Sequence, residues 1–473
     1  MTADVRRRPS NGTSVLISGA GVGGLMAALE LWRKGCDVRI LERTKTNHTQ
    51  GDSFNIGQTA IDGLRHWPEL QKRNEEIAYN PLIAYCNHRG ERLAGPFDPS
   101  SVFSEHAAKR EKPLRMYRHS RPKFHAMLLE QLSKVGIEVE YGNEVVDYFE
   151  EAETSKAGII VKDGLRYTAD LVVAADGVRS QSWSLVAGQP VPARKSGDAI
   201  LRTSYPVELA LADPIIAERF PLTEEGRTVI ELWTGPDMHV AMWRNEDEMQ
   251  YAIHRPDPGT SEESWSHKVR PEEALAFTST IEGWPEVGNR VIKATPPDLL
   301  VDWKLMWREP QPISVSPGGR VVQIGDAAHT FLPSSGNGGT QAIEDAISLA
   351  ACLTAAGSKE NIPDAARVHQ LLRFERVSCL QAFGVANLEA RNTKKNGGDN
   401  SKARVRFGKW IIDHDPENYA NEKYESALAH LKTGAPFKNT NIPPGMEYVP
   451  WTIDGLIPAH ERGEKTVLDG DWD

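Results

Sequence analysis

Residues 14–43 read SVLISGAGVGGLMAALELWRKGCDVRILER, and the hydrophobic period changes twice along them. Val15, Leu16 and Ile17 form a short apolar run of strand type. Leu25 to Trp32 follows helical spacing, Gly35 closes that helix, and Val38 to Leu41 is a second strand. Strand, helix and strand in so short a span predict a β-α-β unit with a parallel sheet. Gly19, Gly21 and Gly24 occupy the turn between the first strand and the helix. Glycines there permit a tight turn and let the backbone approach a pyrophosphate at the helix N-terminus. Glu42 closes the second strand 23 residues after Gly19. A carboxylate at that point accepts hydrogen bonds from ribose hydroxyls and would clash with a 2′-phosphate, so the unit suits FAD or NAD rather than NADP. A glycine-rich turn without a ligand is the rival reading. The strand, the helix and the terminal acid together outweigh it.

Further along, HSRPKFHAMLLEQLSKVG (119–136) places Phe124, Met127, Leu128, Leu132 and Val135 on one helical face. Alternating strands follow and end in the fully apolar run Leu171 to Ala175, the pattern of a strand covered on both faces. TVIELWTGPDMHVAMWRNEDEMQYAIHR (228–255) reads as three strands joined by polar turns, hence an antiparallel sheet. GRVVQIGDAAHT (319–330) returns to the buried-strand style, and GGTQAIEDAISLAACLTAAG (338–357) is a long helix packed through Ala342, Ala346, Leu349, Ala350 and Leu353. Residues 51–120 are read as mixed helix and loop, and 392–404 as a polar loop. The fold expected is α/β: a discontinuous Rossmann-type domain over 13–194 and 311–380, a domain built on an antiparallel sheet over 195–310, and a C-terminal helical or extended region over 381–473.

Bulk composition narrows the function. The 473 residues carry 65 acidic and 55 basic side chains, a net charge of −10, which argues against a dedicated nucleic-acid binder. Cys36, Cys86, Cys352 and Cys379 make no C-x-x-C pair, so neither a zinc site nor a disulfide framework is expected and a reducing compartment is the simpler reading. The polar start MTADVRRRPSNGT is not of secretory type, and no stretch approaches the roughly 20 apolar residues of a membrane span. A soluble, cytoplasmic protein without metal is expected. Its oligomeric state is not readable.

Two further segments carry chemistry. VVAADGVRS (172–180) runs an apolar strand into Asp176 and Gly177, where a fixed acceptor sits beside a permissive backbone. A second strand ends at Gly325 and Asp326, and a loop with Pro333, Gly336, Gly338 and Gly339 then feeds the long helix. Asp326 suits a ribityl hydroxyl, and the helix start offers N–H groups to a phosphate or an electron-rich ring. Each alone is equally a plain strand-to-turn junction.

Together, in this order and separation, the three segments resemble the class A flavoprotein monooxygenases, the family of salicylate and p-hydroxybenzoate hydroxylases and of fungal natural-product members. The resemblance runs from Val15 to about Asp345. It implies FAD, bound tightly and non-covalently, at Gly19, Gly21, Gly24 and Glu42, with the DG motif on Asp176 and Gly177 and the GD motif on Gly325 and Asp326. Pro333, Gly338 and Gly339 belong to the loop and helix start that follow the GD motif. It implies Arg121 at the adenosine-pyrophosphate side, Asn55 near the flavin ribose, and Arg202 as the functional arginine of the substrate domain. Departures are Asn337 where the family often has Gln, and Pro122-Lys123 where it has Ser-Asp. Tyr205, His239, Trp243 and His254 are read as packing or surface residues, as are Trp410 and Tyr424.

The activity so implied is NAD(P)H-driven reduction of FAD, by NADPH or NADH as a transient co-substrate. A flavin C4a-hydroperoxide then transfers one atom of molecular oxygen to a small aromatic or heteroaromatic substrate. A flavin halogenase would need a W-x-W-x-I-P motif, and Trp303 and Trp307 lack that spacing. A two-Rossmann enzyme would need a second glycine fingerprint, and the sequence has only the one at Gly19–Gly24. An FAD-dependent reductase without oxygen activation, and a non-catalytic flavin-binding regulator, share the same motifs.

Overall fold

The strand Ser14–Ser18 lies mid-sheet, flanked in parallel by Asp37–Glu42 and Leu171–Ala174. Val321–Gln323 and Val139–Tyr141 extend this sheet to five strands. The computed structural model describes residues 5–47, 51–103, 114–264, 266–391, 408–456, 464, 466 and 468–472. Val15 and Ile17 face a core shared with the helices Val22–Arg33, Arg121–Lys134 and Gly338–Ala356. Leu16, Val172 and Ala174 face the other way, onto a three-stranded antiparallel sheet through Tyr148, Ile159 and Val161. Both faces are covered, which explains why these strands are apolar without alternation.

A second, seven-stranded sheet runs in the order Val301–Trp307, Arg194–Pro206, Glu248–Pro256, Met238–Arg244, Val229–Gly235, Leu82–Asn87, Arg92–Phe97. The three strands expected over 228–255 form and pair antiparallel. The last two strands correct the expected boundary. Residues 82–97, read with the first domain as helix and loop, supply the edge of this sheet. Leu82–Asn87 pairs in parallel with Val229–Gly235, a contact across far too many residues for local pattern to register.

Strand residues alternate between faces. Leu201, Tyr205, Met242, Tyr251 and Ile253 pack with Val291 and Ile292 under the helices Pro271–Thr278 and Glu286–Lys293. Ile200, Arg202, His254 and Trp243 point the opposite way. Contacts of Arg202 and Trp243 with residues 52 and 79 turn that face toward the nucleotide unit.

The C-terminal part rests on the helices Ile362–Arg391 and Pro416–Thr433. Tyr424 is buried, and Trp410 packs edge-on against Trp472, as packing residues should. The loop expected at 392–404 lies outside the described residues. Among the described residues, no helix is long and apolar enough to cross a membrane.

Candidate functional site

The glycine turn has three distinct constraints. Gly19 sits at φ +102°, and a Cβ there would lie 2.4 Å from the Ala175 carbonyl oxygen. A Cβ on Gly24 would lie 2.0 Å from the Gly19 carbonyl oxygen. Both glycines are therefore demanded by the protein's own backbone. Gly21 is different, because a Cβ there meets nothing within 4 Å. That open space lies at the start of helix Val22–Arg33, where free backbone N–H groups could hold a phosphate. Glu42 closes its strand with both carboxylate oxygens held, one by the Ala20 N–H and one by the Thr44 N–H, each at 2.9 Å.

Asp176 lies at the end of the adjacent strand. The Tyr148 hydroxyl donates to its Oδ2 at 2.7 Å, and burial raises the Asp176 carboxyl above its ordinary range. Gly177 follows at φ +82° with open space beside it. Gly325, at φ +58°, donates its N–H to Asp345 Oδ2 at 2.9 Å, and His329 Nε2 meets the same oxygen at 2.6 Å. Arg373 holds the other Asp345 oxygen at 2.7 Å. Asp345 thereby pins the turn, while Asp326 itself is exposed. Arg308 is buried and joins three loops: it donates to the carbonyls of Val178 (2.9 Å), Val191 (3.1 Å) and Asp326 (3.3 Å). Burial pushes its guanidinium down to about 10.

Gly338 opens the long helix, and Gly339 lets it approach a neighbouring strand, since a Cβ there would lie 3.0 Å from Ile56 and 3.2 Å from Phe54. Pro333 is exposed, but Leu332 before it packs with Ile200 and Trp303 of the large sheet. Asn55 is brought to Gly336 and Arg118, whose Nη1 donates to Asn55 Oδ1 at 3.0 Å. Arg118 stacks over Trp243 at 4.2 Å, and Trp243 Nε1 donates to the Tyr79 hydroxyl at 3.1 Å.

Arg202 is no surface arginine. Its side chain is 11% exposed and makes a two-pronged ion pair with the buried Asp52, at 2.6 and 2.5 Å. Arg121 approaches Asp52 at 3.4 Å and lies over the Phe54 ring at 4.7 Å. In the sheet Arg202 pairs with Ala252, and Ala252 with Ala241, so small side chains lie beside the guanidinium. The next row is Ile200, His254 and His239, the two imidazoles stacked at 4.4 Å. Tyr205 belongs to the opposite face and donates to the Val291 carbonyl at 2.8 Å.

Asp52, Tyr148, Arg308 and Asp345 were not among the expected site residues. Asp52 stands beside Asn55 in GDSFNIG, and Asp345 in the quoted long helix. Among the described residues, no group of three or more His, Cys, Asp or Glu is arranged to hold a metal.

Residues 12–364 match the FAD binding domain family. The FAD-dependent monooxygenase dmxR9 of Cryptosporiopsis sp. (strain 8999) is 41% identical, over 98% of this chain and 91% of that protein. The crystal structure of FqzB is similar at TM-score 0.79 and 30% identity, over 93% of this chain and 99% of that one. That of CtdE in complex with FAD and a substrate follows at TM-score 0.78 and 26% identity, over 89% and 99%.

Proposed function

Because this chain belongs to the FAD-dependent monooxygenases, we propose that it places one oxygen atom from O2 on a small aromatic or heteroaromatic natural-product substrate, using NADPH or NADH as reductant. FAD, when bound, supplies the electron transfer and the oxygen activation. The residues present fit it. The space beside Gly21, bounded by Gly19 and Gly24, takes the pyrophosphate, and Glu42 takes the ribose. Asp326 takes the ribityl chain, with Gly325 setting its turn. The N–H groups at the helix start, Gly338 and Gly339, with Pro333 before them, would offer hydrogen bonds to the ring. Asp176 and Gly177 would line the cofactor from the neighbouring strand, Arg121 would contact it from the start of its helix, and Asn55 from the strand Ser53–Ile56.

The observation that carries the reading is Arg202. Asp52 fixes its guanidinium on the sheet face turned to the glycine-rich loops, beside the two alanines. A fixed cation there binds and orients an electron-rich oxygen, such as a phenolate. Ile200, Leu332 and Trp303 pack the adjacent wall and exclude water. CtdE, similar in fold and sequence, has been crystallised with both FAD and a substrate, which supports the reading that this chain binds a substrate as well as FAD.

The test is a screen of phenols, indoles and related scaffolds for substrate-stimulated NAD(P)H oxidation under 18O2. The expected result is a product heavier by one labelled oxygen. Stimulated oxidation that always ends in peroxide and unlabelled substrate would point to a reductase instead.

A further inference from the structure

A cavity of about 190 Å³ lies on the helix-covered side of the seven-stranded sheet, facing away from the nucleotide unit. Arg92, Arg219 and Arg244 line it, with Glu231, Phe220 and Thr223. Arg244 follows Val240 and Met242 on the strand face that packs beneath the helices, and Arg92 is registered with Cys86 of that same core.

The charges do not cancel. Glu231 is the one carboxylate of the lining, against three guanidinium groups. It is buried, and its oxygens are already taken. Arg92 Nη2 donates to Oε1 at 2.9 Å. Arg219 Nε and Nη2 donate to Oε2 at 3.2 and 3.0 Å, and Trp233 Nε1 donates to the same oxygen at 2.9 Å. Arg219 Nη2 also donates to the Gly90 carbonyl at 2.6 Å. Arg244 is only partly exposed, gives its Nε–H to the Phe220 carbonyl at 2.6 Å, and meets no carboxylate among the described residues. Burial lowers its guanidinium below the ordinary arginine range, with no acid nearby to offset this. The lining thus carries an excess of two positive charges, which an anion entering the cavity would offset.

We propose that this cavity binds a phosphate group, as inorganic phosphate or as the end of a phosphate monoester, at a site separate from the one that holds FAD. The dianion matches the charge excess, and its oxygens suit the planar forks of Arg244 and Arg92. The volume takes the phosphate and leaves the remainder of a monoester at the mouth. The hydride donor for the flavin is not the intended ligand, because the sheet stands between this cavity and the nucleotide unit.

The test uses the FAD-loaded enzyme at low ionic strength, titrated calorimetrically with inorganic phosphate and, separately, with 2′-AMP. Binding of either is expected, weakened about ten-fold or more in Arg244→Gln, the loss of one charged hydrogen-bonding partner. Tighter binding of 2′-AMP assigns the site to a monoester, and binding of phosphate alone to the free ion. Arg92→Gln, at a more exposed position, guards against a folding defect in the first variant, and flavin content should match wild type in both. No binding of either ligand at tens of millimolar, or equal binding by wild type and both variants, overturns the proposal.

Discussion

Asp52 and Arg202 stand 150 positions apart and meet in a two-pronged ion pair between the two sheets. Its prongs fix the guanidinium in one plane, which a single contact would not do. Arg202→Ala should keep FAD yet lose product formation by a hundred-fold or more, roughly the effect of removing a placed charge at a reacting centre. Flavin absorbance after dialysis and turnover with a competent substrate read the two parts separately. Full turnover in this variant removes Arg202 from the reaction.

Asp52→Asn should be milder on binding and informative on geometry. It leaves Arg202 in place but loosens one prong, so kcat should fall more than KM rises. Because the partner is buried, thermal stability should fall as well, by about 3 kcal/mol if the charge is left without its counter-ion. Unchanged kcat with reduced stability would make the pair purely structural.

The glycine turn separates fold from cofactor. Gly24→Ala puts a methyl 2.0 Å from the Gly19 carbonyl oxygen and should destabilise even the apoprotein. Gly21→Ala meets no protein atom within 4 Å, so the apoprotein should melt as wild type does. Its FAD affinity should nevertheless drop about ten-fold or more, because the methyl enters the space read as the pyrophosphate cradle. Fluorescence titration of apoprotein with FAD measures this. Normal affinity in Gly21→Ala displaces the cradle from that turn.

Acid should weaken the fold before the carboxylates titrate. His119 is fully buried, with Nε2 on Asn74 Oδ1 at 2.7 Å, and burial holds it down to about 3. His369 is held down to about 4, chiefly by burial. The unfolded chain takes up these protons near pH 6.5 while the folded one resists. The stability is therefore complete above 6.5 and is lost as pH falls toward 4. Each site costs about 2 kcal/mol by pH 5. Glu344 and Asp345, held low by arginine and histidine partners, add to the loss in the same direction only below about pH 4. Melting at pH 7.5 and 5.0 tests the sum, and equal midpoints would contradict it.

What the sequence discloses here is what is local. The Gly19 turn, the Arg121 helix and the three strands over 228–255 each declare themselves through a period or a breaker within a dozen or so residues. Contacts between distant segments leave no such trace. Leu82–Asn87 finds its parallel neighbour at Val229–Gly235, Asp345 reaches back to the Gly325 amide, and Asp52 waits for Arg202. Within GDSFNIG, Asn55 was the residue singled out, although Asp52 proves to be the buried one with the charged partner. Sequence pattern ranks residues by chemistry and does not reveal which one faces inward.

The edge strand Val321–Gln323 and the Asp345 clamp have a consequence for biosynthesis. A growing chain offers the glycine turn early, yet the sheet lacks its last parallel neighbour until residue 323 has emerged from the ribosome. The Gly325 turn lacks its clamp until residue 345 has followed. The whole seven-stranded sheet, from Leu82 to Trp307, must be threaded in between. The sheet edge and the clamped turn are thus complete only once residue 345 has emerged, and a chain cut short of it would carry the glycine turn without them.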